Sequence, residues 1–245
     1  MTTAALPSLN LPVYRLTLRG LFSGRRILAL AALALVPVIA ATAFAAGGEV
    51  EPDLFWARLL QRLVIPTITA FIAVVIGASA VADEREDGTI LYLASTPLSR
   101  LTIILSKVAA AWTVTLALVA PALVLAGAIA LRGDATAAQF AWPLAGVALA
   151  GLCYCAAAAW LAMLLRRPVV IGVLYILLWE GSIATFAASA DRFSVAAYGR
   201  AIAVEGVIDV NAPDTSAAAA IVVLLAVTAI AVWAAARRMT RTELP

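Results

Sequence analysis

The sequence predicts an all-α, polytopic membrane protein of six transmembrane helices, and three observations lead there. Of 245 residues, 64% are hydrophobic and 13% charged, with a mean hydropathy of +1.04, whereas soluble domains use about half apolar and about a quarter charged residues. The apolar residues fall into runs of roughly twenty or more, the length a helix rising about 1.5 Å per residue needs to cross roughly 30 Å of hydrocarbon. Cations gather at the ends of these runs: 12 of the 17 Lys and Arg lie in the N-terminal segment, the 83–107 stretch, Arg166-Arg167 and the C-terminal segment. The positive-inside rule puts those segments, with both termini, in the cytoplasm, and an even number of spans agrees.

Residues 10–26 read as an interfacial helix, with Leu11, Tyr14, Leu18 and Leu21 on one arc and Arg15 and Arg19 beside it, able to snorkel to phosphates. Arg25 and Arg26 precede the first span, about 27–46. This basic start resembles a signal peptide, but five further spans and no convincing cleavage signal point to a retained anchor. An acidic loop follows with Glu49, Glu51 and Asp53. Arg58 and Arg62 then lie on an amphipathic approach to the second span, about 63–82, with Pro66 in its first turn. The third span, about 101–131, is longer than a bilayer needs, and Pro121 is placed to kink it. Arg132-Gly133-Asp134 makes the next turn. The fourth span covers about 140–165 and stops at Arg166-Arg167-Pro168, the fifth about 169–188, and the sixth about 217–236 before Arg237 and Arg238.

The stretch Asp83 to Lys107, DEREDGTILYLASTPLSRLTIILSK, is the only long polar-rich interruption and reads as a docking element. Asp83, Glu84, Arg85, Glu86 and Asp87 mark where a membrane helix leaves the bilayer. Gly88 permits a break at low cost in backbone strain. Thr89 can cap a short helix with Ile90, Leu93 and Ala94 on one face and Tyr92 and Ser95 on the other. Thr96-Pro97 repeats the start signal, so the next helix is expected to begin near Pro97. The carboxylates at the helix C-terminus oppose its dipole and call for cations: Arg85, Arg100, Lys107 or a basic partner.

At these residues the chain resembles the ABC-2-type permeases, membrane subunits of ATP-binding-cassette exporters. The shared pattern is Glu84-Arg85-Glu86-x-Gly88-Thr89, a short apolar helix, then Thr96-Pro97-Leu98-Ser99-Arg100 and, further on, Lys107. The resemblance implies one transmembrane domain over 1–245 whose 83–100 region is a cytoplasmic coupling helix. Glu84, Arg85, Glu86, Gly88, Thr89, Ile90, Leu93, Pro97, Arg100 and Lys107 would then engage a cytosolic ATPase subunit. It also implies a second permease subunit, homo- or heterodimeric, and ATP and Mg held by the ATPase, with no cofactor in this chain.

Composition narrows the chemistry. Histidine is absent, which removes imidazole metal sites and Ser-His or Cys-His catalysis. No GxxxxGK[ST] motif occurs, so any ATP is handled by another subunit, and no enzymatic role is expected of this chain. The cations form no stripe with interleaved aromatics, which argues against nucleic acid. The 16 Arg against one Lys, with heavy Ala use, suggest a GC-rich bacterial genome and a bacterial inner membrane.

Glu180, followed by Gly181, is the one carboxylate inside a span. A mid-membrane charge costs about 2.5–3.5 kcal/mol on insertion scales, so the readings open to it are a polar point on the substrate path, a proton relay, or a structural or gating hydrogen-bond acceptor that closes the outer end of the fifth helix. Residues 181–212 are too apolar for a free loop and too interrupted for a full span. Helices re-entering the outer leaflet fit them, and the resemblance implies the same. Cys153 and Cys155 project about 200° apart on a helix and read as small core residues. Gly146, Ala150 and Gly151 offer the same helix close-packing surfaces. Besides an exporter permease, a proton-coupled secondary transporter using Glu180 and a non-transporting scaffold of an assembly complex remain open.

Overall fold

The computed structural model describes residues 9–22, 25–47, 50–86, 99–183, 193–207 and 215–241, apart from the side chains of 83–86, 180–183 and 240–241. The described residues form helices and turns and no strand. Among the described residues, five helices are long and apolar enough to cross a membrane: Arg25–Gly47, Pro52–Ala82, Arg100–Ala130, Ala138–Leu164 and Ala217–Met239. The expected fifth span is a shorter helix, Pro168–Ile183, whose expected continuation to 188 lies outside the described residues.

The first helix, α1 (Leu11–Phe22), is begun by Asn10, whose Oδ1 accepts from Val13 N–H at 3.1 Å. Its buried stripe is Val13, Thr17 and Leu21, while Leu11 is exposed. The expected arc starting at Leu11 is therefore corrected by about a quarter turn, because α1 lies along another helix instead of only on lipid. The first span is two helices, α2 (Arg25–Ala34) and α3 (Val36–Gly47), broken at Leu35. Pro37, which has no N–H and crowds the preceding turn, accounts for the break.

The second span is one rod made of α4 (Pro52–Leu59), a π-helical segment π1 (Leu60–Thr69) and α5 (Ala70–Glu86). It starts eleven residues before the expected 63, so Pro66 lies in mid-helix and not in a first turn. The wider π register makes room for the proline ring, and Thr69 Oγ1 donates to Val64 O at 2.8 Å across the widened turn.

The long helix α6 (Arg100–Ala130) is capped by Ser99, whose side chain accepts from Thr102 N–H at 3.1 Å. Against a start expected near Pro97, the helix begins at Arg100 because Ser99 supplies its cap; Thr96 and Pro97 lie outside the described residues. The helix continues through Pro121 and ends in a turn where Arg132 (φ 52°) and Gly133 (φ 91°) are both left-handed. Then come α7 (Ala138–Leu164), α8 (Pro168–Tyr175) running into π2 (Ile176–Ile183), α9 (Val195–Ala203) with a 3₁₀ turn at Val204–Gly206, and α10 (Ala217–Arg241).

The bundle is built around α7, against which α5, α6, α9 and α10 all pack. Small residues allow this. A Cβ on Gly77 would lie 2.7 Å from Cys155 Cα, so α5 and α7 approach backbone to backbone. Cys155 and Cys153 are both buried and neither forms a disulfide, in keeping with a packing role. Gly146 and Ala150 receive α9 at Gly199 and Ala203.

Candidate functional site

The structure describes the two stems of the docking stretch, while residues 87–98 lie outside the described residues. The α5 backbone stays helical through Glu84, Arg85 and Glu86, and α6 begins at Arg100. Gly88, Thr89, Ile90, Leu93 and Pro97 lie outside the described residues.

Lys107 sits seven residues into α6, about 10 Å along it, and is 2% exposed. Its Nζ donates to Ala80 O of α5 at 2.9 Å. One residue earlier on α5, the Ser79 hydroxyl accepts from Arg26 Nη1 of α2 at 2.8 Å. One residue earlier on α6, the Ser106 hydroxyl accepts from Asn10 N–H at 2.9 Å and donates to Thr102 O at 2.8 Å. Two turns further, Tyr14 donates to Thr113 Oγ1 at 3.0 Å. The sequence singled out Lys107 but not Asn10, Arg26, Ser79 or Ser106. The signal available was two lone serines in otherwise apolar runs.

The opposite end carries a different network. Gln139 Nε2 donates to Asp53 Oδ1 at 2.7 Å, and its Oε1 accepts from Thr136 N–H and Oγ1 at 2.7 and 3.0 Å. Trp56, fully buried, donates to Gln139 O at 3.3 Å and packs on Gly127 and Phe140. Phe44 and Phe55 stack at 4.0 Å.

Glu180 and Gly181 lie in π2, near the end of the described helix that begins at Pro168. Segments π1 and π2 pack against each other. Each carries a buried donor with no acceptor among the described residues: Gln61 Nε2, on a side chain 7% exposed, and Trp179 Nε1. Helices of this wide register occur mostly as short bulges, often at functional sites. Among the described residues no group of His, Cys, Asp or Glu forms a metal site.

The family of ABC-2 family transporter proteins matches this chain over residues 25–187. Comparison with curated proteins finds no match.

Proposed function

The chain belongs to the ABC-2 transporter family, and from that premise we propose that it is the permease subunit of an ATP-driven exporter. Membership makes it a multi-pass membrane transport component that is not itself catalytic. In the proposed assembly two permease subunits join two cytosolic ATPase subunits, which bind ATP and Mg and dock on residues 83–100. The Arg166 end of the bundle then faces the cytoplasm of a bacterial cell, with both termini. Segment 181–212, including α9, sits in the outer leaflet.

The single observation that carries the coupling role is the junction of α5 and α6. The helices flanking the docking stretch are bonded to each other inside the bundle, so a force on 87–98 is delivered to the bundle core. The polar level around π1 and π2, with Gln61, Trp179, Glu180 and Gly181, is the substrate path or gate in this reading. Donors at that level without an acceptor among the described residues would offer a passing polar group partners at a depth where water is absent.

Affinity purification of the full chain from its native membranes tests the assignment. A Walker-motif ATPase is expected in the eluate at a molar ratio near one. Gly88→Val, and Glu84→Lys with Glu86→Lys, should insert normally yet recover much less of it. Transport driven by a proton gradient with no ATPase recovered would favour the secondary-transporter reading instead.

A further inference from the structure

The hydrogen bonds at the Arg166 end close into a ring. Asn10 of α1 holds Ser106 of α6, Lys107 of α6 holds Ala80 of α5, and Arg26 of α2 holds Ser79 of α5. Only residues 23 and 24 separate α1 from α2, so the circuit returns to its start. Two adjacent residues of α5 are gripped from two different helices, and two adjacent residues of α6 face two different helices.

We propose that this ring is a positioning collar for the docking stretch, with Lys107 and Arg26 as its positioning residues. The proposal rests on the reading of 83–100 as the ATPase-docking region. Lys107 lies too deep to touch a cytosolic partner itself. A cation at such depth needs acceptors, and a main-chain carbonyl of α5 is one of them, so its bond fixes the backbone of the neighbouring helix and not merely a mobile side chain. Arg26 holds the preceding residue of α5 by its side chain, through the hydroxyl of Ser79, which is itself buried. The ends of α5 and α6 are therefore kept at one separation, and α1 and α2 move with them. A displacement of 87–98 becomes a rigid-body motion of four helices in place of a local fraying of one.

The test uses the full chain co-purified with its ATPase and the variants Lys107→Met, Lys107→Arg and Arg26→Met. Hydrogen exchange is followed at the amides of 80–86 and 100–107, and at 52–59 with and without ATP and vanadate. In Lys107→Met and Arg26→Met, exchange at 80–86 should rise about ten-fold or more, as for a segment released from its neighbours. In Arg26→Met, ATPase recovery should stay within about two-fold of the unmodified chain, since Arg26 is not among the docking residues. The ATP-dependent change at 52–59 should vanish in these variants and return in Lys107→Arg, whose guanidinium can still donate to Ala80 O. Unchanged exchange at 80–86, or an ATP response retained in Lys107→Met, would overturn the collar. If Lys107→Met fails to fold, Arg26→Met and Lys107→Arg carry the same comparison. Full ATPase recovery by Gly88→Val would instead overturn the docking reading, and with it the positioning role, whatever the exchange result.

Discussion

The two ends of the bundle are held together by different physics. At the Arg166 end the cations Lys107 and Arg26 donate to neutral oxygens of another helix, and α1 is clipped on through Asn10 and Tyr14. At the Arg132 end a buried tryptophan and stacked phenylalanines do the packing, and one glutamine bridges Asp53 to the turn before α7. Polar bonds between helices fix relative position in a way that apolar contacts, which tolerate sliding and repacking, do not. One end is thus built to keep its geometry under load, the other to stay closed by packing.

This contrast breaks most visibly at Trp56. Its side chain fills the space between Gly127 and Phe140, so Trp56→Ala leaves a cavity and should cost about 3–5 kcal/mol. The measurement is thermal unfolding of the purified chain in detergent. If the loss falls below about 1 kcal/mol, the Arg132 end does not depend on that packing.

A paired comparison sharpens it. Gln139→Leu removes the bridge while leaving Asp53 and Thr136 without it, at a cost of about 1–3 kcal/mol. Tyr14→Phe removes one hydroxyl bond and should cost about 1 kcal/mol, near the middle of the usual range for a single hydrogen bond. The two variants should also differ in place. Raised hydrogen exchange is expected around 52–59 and 136–141 in the first, and along α1 in the second. Exchange rising at both ends in either variant would mean that the ends are not separable.

Much of this was legible in the sequence. Long apolar runs bounded by arginines gave four spans within a few residues, because the length needed to cross hydrocarbon leaves little freedom. The π segment was not legible. Pro66 looks like a first-turn residue when the run is started at Leu63, and only the packing of Trp56, Leu59 and Leu60 into the bundle extends the helix back to Pro52. The expected face of α1 is displaced because hydrophobicity marks what can be buried, and here Val13 and Thr17 are buried while Leu11 is exposed. At the candidate site, Lys107 stands out as the one lysine, but its bond to Ala80 is to a carbonyl, which every residue has and no sequence pattern reveals. Ser79 and Ser106 gave only a faint signal for the same reason: small hydroxyls in apolar helices usually bond their own turn, and here Ser106 does that as well.

In the proposed assembly the braced end faces the ATPase and the packed end faces away. In a chain with Cys153→Ala and Cys155→Ala, single cysteines at Tyr92 and at Gly133 are exposed to a membrane-impermeant maleimide added to intact cells. Gly133→Cys should react at once and Tyr92→Cys only after the membrane is opened, because the arginine-rich end is retained inside. Labelling of Tyr92→Cys in intact cells with protection of Gly133→Cys would contradict the account, since no cytosolic ATPase could then reach the stretch between α5 and α6.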